Sequence, residues 1–583
     1  MISSRRLAVL TGFIVLLVVM ILGRTVELQI APPGQSGEFM QEALGKQDVT
    51  LLQAAPRGTI FDSDGNVMAV SVRSYSISID PQVISATHTS ADVALILAPV
   101  VSRTVKEVQA QVNSVIRDSQ LMTRTIPNEL YQDVSPQAIE QLTTTISKYS
   151  KLYNKKIDGI RYDRSWKRDY PMGPIAGPVV GYTGVQQRGF SGLEAYYDIQ
   201  LSPQIGVRRE RYPTVLKSIT PTLPGADLET TLVGPLQIYV EERLATAIKD
   251  TGSVAGSIIV IDTHTAAVLA MASYPSYDPN NAQTMLDHNQ AKALRNPAVS
   301  DLYEPGSVMK LITVMSAYDT GTMTPYNTWN DTGRFTTDGM TIRNADLRAH
   351  GVVTTLGMLE WSLNVVASQV SKAMGPVAFY KHMSTFGIGS PSGIDLADEY
   401  SAPLRDPSSA DWRPLDMAEQ SFGQSVQLSP LQLINAVNVM PNDGVLMRPY
   451  IVKRIQMADG QVVEHKPQVV RRVVSVDIAR TLRAIAAQST RTATPKALPA
   501  GYTVAGKTGT AQWFKNGEMQ KTTLVSYVGW VPSTEPRVTI LIKLDQPKKE
   551  SLSAPNTIPV FHDVAERACQ ILGVPPDIIK ESK

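Results

Sequence analysis

Residues 304–310 read Glu304-Pro305-Gly306-Ser307-Val308-Met309-Lys310, and the run continues LITVMSAYD. Pro305-Gly306 is a turn signal, and the apolar residues beyond it recur at helical spacing. The spacing predicts a helix whose first turn carries Ser307, with Lys310 one turn later on the same face. A serine hydroxyl becomes a nucleophile only with a base within hydrogen-bond reach. A lysine serves as that base when burial or a neighbouring positive charge lowers its pKa. The start of a helix adds backbone N–H groups where an oxyanion would form. Ser307 is the one serine in the chain with a lysine three residues on. A single S-x-x-K also arises by chance on any helix, so this stretch decides nothing alone.

Two further short patterns each occur once, in order along the chain. Ser362-Leu363-Asn364 sets a hydroxyl and a carboxamide two residues apart, able to relay a proton and hold a substrate amide. Lys507-Thr508-Gly509-Thr510 lies in a strand-like context. There Lys507 would supply positive charge, Thr508 and Thr510 would hold a carboxylate, and Gly509 would let a ligand lie against the strand. Ordinary turns and basic strands carry such residues too. Their joint occurrence, each once and in this order, is the informative observation.

Around the motifs, residues 255–273 (AGSIIVIDTHTAAVLAMAS) read as a hairpin in a sheet core. TLVSYVGWVP and VTILIKL read as late strands, and LQIYVEERLATAI as an amphipathic helix. A composition break falls at Pro221-Thr222-Leu223-Pro224-Gly225. Before it, the Asp64-Gly65 turn and the alternating SYSISI predict a hairpin and a half-exposed strand, and residues 89–153 are helical in spacing. Residues 206–217 are basic, as a solvated hairpin face would be. Residues 31–37 read as a linker.

Residues 7–23 carry no charge, and Arg5, Arg6 and Arg24 flank them. That length is near the lower limit for a membrane span. A cleaved signal peptide is the rival, but the run is long for one and no small-x-small cleavage site follows. An uncleaved anchor is expected, with a short cytoplasmic start and the bulk of the chain across the membrane.

The 583 residues exceed one domain's length. With 43% hydrophobic and 19% charged residues they can bury substantial cores. Lys plus Arg (55) nearly balances Asp plus Glu (53), which excludes a globally basic nucleic-acid binder. One cysteine, Cys569, excludes an intramolecular disulfide framework and is expected in the core. Seven scattered histidines form no metal-binding pattern.

The ordered S-x-x-K, S-x-N and K-T-G motifs resemble those of the penicillin-binding acyl-serine transpeptidases. Further stretches extend the likeness to class B of that family: Arg57, Gly58, Ile60, Asp62 and Gly65 (R-G-x-I-x-D-x-x-G), the segment ending at Gly192-Leu193-Glu194, and the runs YPSYDPNN and RNPAVSDLY before the nucleophile. SFGQSVQLSPLQL resembles the division-type (FtsI-type) branch, but Ser425 stands where a glycine is expected.

The resemblance implies an α/β (α+β) transpeptidase domain over 226–583, with helices around a central antiparallel sheet. It also implies a non-catalytic mixed α/β pedestal module over 31–225 and a tail and membrane anchor over 1–30. Ser307 would attack the penultimate D-alanine of a peptidoglycan stem peptide, Lys310 would take its proton, and Ser362 would pass a proton to the leaving D-alanine. Asn364 would hold the substrate amide, and Lys507, Thr508, Gly509 and Thr510 would bind the terminal carboxylate. β-Lactams would trap Ser307, and no cofactor or metal is required. The implied partners are lipid II-derived strands, a SEDS-family (FtsW-like) glycosyltransferase and division proteins, at the outer side of the bacterial cytoplasmic membrane. A D,D-carboxypeptidase, an elongation-type transpeptidase and a non-enzymatic scaffold or β-lactam sensor are the alternatives. No E-x-x-x-N pattern of the class A β-lactamases lies between the second and third motifs.

Overall fold

A computed structural model describes residues 12–23, 25, 48–53, 55–121, 129–184, 187–204, 206–211, 217–219, 222–515 and 518–578. They fall into two compact units. One comprises residues 1–55 and 203–224, the other 56–202 and 225–583.

In the first unit, strands Asp48–Gln53, Gly206–Arg211 and Lys217–Ile219 form an antiparallel sheet with the middle one central. The basic run is thus two paired strands, and its connection, 212–216, lies outside the described residues. Residues 12–23 of the apolar run are helical and exposed. Residues 7–11 and the 31–37 linker lie outside the described residues. No described helix is long and apolar enough to cross a membrane.

The second unit is built on a five-stranded antiparallel sheet. Its order is Val268–Tyr274, Ala255–Asp262, Val538–Asp545, Glu518–Val531, Ala505–Lys515. The central strands are apolar almost throughout because both faces are covered. Ile258, Val260, Ile540 and Ile542 pack under helices Gly234–Thr251 and Ser553–Ile571, where Cys569 is fully buried as expected. Ile259, Ile261, Val528 and Trp530 face the opposite layer, which contains helix Met309–Asp319. That helix is buried from Met309 to Tyr318, so its apolar residues encircle it and do not form one stripe.

The long strand Val67–Ile79 pairs with Ile160–Asp169 and with Glu129–Val134. Helices Ser90–Val100, Val105–Leu121 and Pro136–Tyr153 close a smaller core around Ile77, Leu97, Val108 and Leu142. Asp62 holds the Asp64-Gly65 turn by accepting the N–H groups of Asp64 and Asn66. Backbone pairing continues past the compositional break: Asp227–Thr230 pairs in parallel with Ile60–Phe61 and antiparallel with Val452–Gln456.

The R-G-x-I-x-D and G-L-E segments meet in a buried joint. Glu194 accepts from Arg57 Nε and from Arg168 Nε, each at 2.6 Å. Arg57 Nη1 reaches Asp198 at 2.7 Å, and Arg168 Nη1 donates to the Gly58 carbonyl at 2.7 Å. A buried carboxylate between two guanidiniums, with main-chain acceptors taking further donors, meets the condition under which buried charge is tolerated.

Candidate active site

Ser307 lies in a tight turn, Gly306–Val308, that leads directly into the buried helix Met309–Asp319. The fold drives the turn against the strand Ala505–Lys515 and against the loop at Gly423. Gly306 has φ 58, and a Cβ there would stand 2.5 Å from the Thr510 carbonyl oxygen. A Cβ on Gly509 would stand 2.3 Å from the Pro305 carbonyl, and one on Gly423 2.1 Å from the Gly306 carbonyl. The missing side chain at Gly509 lets the strand touch the turn that carries Ser307, and three glycines make that contact possible.

Lys310 is fully buried one turn after Ser307. Its Nζ lies 3.0 Å from Ser307 Oγ, 2.6 Å from the Ser362 carbonyl oxygen, 2.7 Å from Asn364 Oδ1 and 3.2 Å from Ser362 Oγ. No carboxylate is among these partners. Burial, reinforced by the positive charge of Lys507, pushes the Lys310 amine well below the usual lysine range. Lys507 is itself buried, which lowers it to about 8. So the S-x-x-K and S-x-N motifs converge on one nitrogen, and the K-T-G strand abuts them through its backbone.

Ser362 occupies the break between helices Thr355–Glu360 and Asn364–Met374 with φ 55, a left-handed conformation uncommon for a serine. Thr510 Oγ1 accepts the N–H of Ser553 at 3.2 Å, which anchors the end of the motif to the C-terminal helix.

Sequence reasoning missed the support behind Asn364. Asn364 Nδ2 donates to the Arg343 carbonyl at 3.0 Å, and Val365 N donates to Asn344 Oδ1 at 3.1 Å. Asn344 Nδ2 in turn donates to Asp331 Oδ2 at 2.7 Å and to the Arg348 carbonyl at 2.9 Å. Asp331 and Asn344 are both buried. Among the many polar residues of 329–348 nothing in the sequence marks these two.

Ser425 explains its own oddity. Its φ is 54, the region where glycine is free of strain. The serine is held there by its N–H to Glu304 Oε1 at 3.0 Å and by its hydroxyl to Glu419. Burial pushes Glu304 up to about 7, and the neighbouring Glu419 adds to the rise. Among the described residues no group of three or more His, Cys, Asp or Glu side chains converges as metal ligands do.

Residues 256–566 match the model of the penicillin-binding protein transpeptidase domain. The chain belongs to this family. Residues 52–219 of this penicillin-binding transpeptidase match the penicillin-binding protein dimerisation domain. Its chain is similar to the penicillin-binding protein PbpB of Mycolicibacterium smegmatis, at 26% identity over 97% of this chain and 90% of the relative. It is also similar to the peptidoglycan D,D-transpeptidase FtsI of Escherichia coli, at 27% identity over 99% and 93%. Among solved structures it resembles penicillin-binding protein 3 of Mycobacterium tuberculosis, complexed with aztreonam. There the TM-score is 0.67 at 25% identity, over 91% of this chain and all of that one.

Proposed function

We propose that the protein is a peptidoglycan D,D-transpeptidase that cross-links stem peptides through an acyl-Ser307 intermediate, in the cell wall made at division. The observation that carries this reading is a buried lysine amine 3.0 Å from a serine hydroxyl with no carboxylate to hold its proton. A neutral lysine amine has two N–H bonds and one lone pair. The Ser362 carbonyl and Asn364 Oδ1, at 2.6 and 2.7 Å, accept the two N–H bonds. The lone pair is left for the Ser307 proton.

Ser307 Oγ attacks the penultimate D-alanine carbonyl while Lys310 takes the hydroxyl proton. The N–H groups of Ser307 and Thr510 stabilise the oxyanion. As the tetrahedral adduct collapses, Ser362 passes the proton to the nitrogen of the departing D-alanine. Lys507, Thr508 and Thr510, with Gly509 shaping the strand, bind the terminal carboxylate, and Asn364 binds the substrate amide. An amine from a second stem then attacks the ester, yielding the cross-link and freeing Ser307. β-Lactams enter by the same first step.

The similarity to FtsI and PbpB along nearly the whole chain supports the division role. We place residues 1–30 as tail and anchor, 31–225 as pedestal and 226–583 as catalytic domain outside the cytoplasmic membrane. A SEDS-family glycosyltransferase supplies the strands. Mass spectrometry after penicillin treatment tests the chemistry: the adduct is expected on Ser307 and absent from Ser307→Ala. An adduct on another residue of folded Ser307→Ala overturns the assignment.

A further inference from the structure

The hairpin beside Asn364, strands Arg334–Thr337 and Met340–Arg343, carries a charge arrangement the transpeptidase chemistry does not use. Its register sets Arg334 directly opposite Arg343. Phe335 and Ile342 face inward and pack on the main core. The next outward pair, Thr336 and Thr341, joins its hydroxyls at 3.2 Å. Both arginines are exposed on that same outward face.

Like charges directly opposite on an antiparallel pair are destabilising, and among the described residues no acidic side chain pairs with either. Among the described residues neither guanidinium has an ion-pair partner. The nearby carboxylates are engaged elsewhere. Asp338 accepts the Leu415 N–H at 2.8 Å, Asp346 pairs with His350 Nε2 at 2.8 Å, and Asp331 is buried on Asn344.

The pair is also fixed in place relative to the reaction centre. Arg343 gives its carbonyl to Asn364 Nδ2, and the next residue, Asn344, is clamped by Asp331. A peptide whose amide lies on Asn364 therefore has residue 343 as a neighbour.

We propose that Arg334 and Arg343 form an anion subsite that receives a carboxylate of the donor stem peptide, on the amino side of the scissile D-alanine bond. Two planar guanidiniums on one face suit a carboxylate's two oxygens, and its charge removes their repulsion. The subsite rests on the transpeptidase reading.

The test uses the full chain and two acylated tripeptides ending in D-Ala-D-Ala. Their first side chains differ only in ending as a carboxylate or as the isosteric carboxamide. The readout is kcat/KM for D-alanine release. Wild type is expected to prefer the carboxylate peptide about tenfold, less at high salt. Arg334→Gln with Arg343→Gln is expected to bring the ratio near one, and Arg334→Lys with Arg343→Lys to restore part of it. Arg334→Gln alone, one strand away from the Asn364 contact, lowers the ratio without disturbing that contact. Equal rates on the two peptides in wild type, or an unchanged ratio in the double glutamine variant, overturn the subsite. Failure of penicillin to acylate wild-type Ser307 overturns the transpeptidase reading and the subsite with it; a normal adduct with equal rates removes the subsite alone.

Discussion

Two sites in the second unit bury cations and handle them in opposite ways. Arg57 and Arg168 are each 2.6 Å from a Glu194 oxygen, and the three side chains form a charged joint. Lys310 is as deeply buried but meets only hydroxyl, carbonyl and carboxamide oxygens, with Lys507 as a second cation in its field. Burial penalises a lone charge by far more than folding can spare, so an isolated buried group gives up its charge. With a carboxylate present the charge stays and the site becomes a mechanical tie. Without one the amine gives up its proton more readily, as the proposed base must. The presence or absence of one acidic side chain separates structure from chemistry.

Three substitutions break or sharpen this contrast. The largest effect belongs to the joint. Glu194→Ala leaves the buried Arg168 guanidinium without a counter-ion and Arg57 with Asp198 alone, and is expected to cost about 3–5 kcal/mol, read as a lower denaturant midpoint. A midpoint within error of wild type would show that the joint is not under load. Next, Asn364→Asp gives Lys310 the carboxylate it lacks. Acylation requires the neutral amine, so in wild type it rises with pH through the lowered Lys310 pKa. A carboxylate beside Nζ raises that pKa and moves the rise to higher pH. Penicillin acylation at pH 7 is expected to fall about 100-fold, the order a positioned base contributes, and to recover in alkali. Stability follows the same linkage. A depressed lysine pKa makes wild type gain stability as pH climbs from the folded value toward the ordinary one, and the variant loses that slope. The smallest effect is expected from Asn344→Ala, which removes one hydrogen bond from the segment bearing Asn364. Acylation should slow about fivefold, in keeping with a bond worth about 1 kcal/mol, with the pH midpoint unmoved. A shifted midpoint would mean that Asn344 tunes Lys310 as well as placing Asn364.

The same contrast explains what could be read from the sequence. The Ser307–Lys310 pairing is local, one helical turn, and spacing alone revealed it. The approach of Asn364 and Lys507 to that pair is tertiary, and only the order of three motifs betrayed it. Glu194 was visible as part of a motif, but its second partner, Arg168, stands alone in a charged strand with nothing to mark it. Asp331 and Asn344 were illegible for the same reason: burial of a polar pair is decided by what packs above it, not by neighbours in sequence. Gly509 was noticed, but a glycine in a strand reports only that something comes close, and the contact with the Pro305 carbonyl was not legible in it.

The order of the central sheet has a further consequence, for the timing of folding. The strand Ala255–Asp262 pairs along its length with Val538–Asp545, near the far end of the chain. The strand bearing Lys507 joins the sheet only through Glu518–Val531, which lies against that late strand. Contacts so distant in sequence form slowly, after the loop between them has been closed. The Ser307 turn meets Thr510 of that strand, and under the oxyanion role proposed above the enzyme is not acylated until nearly all of its chain has emerged and docked. Covalent capture by penicillin is therefore also a clock: it marks the moment at which the newly made protein completes its sheet.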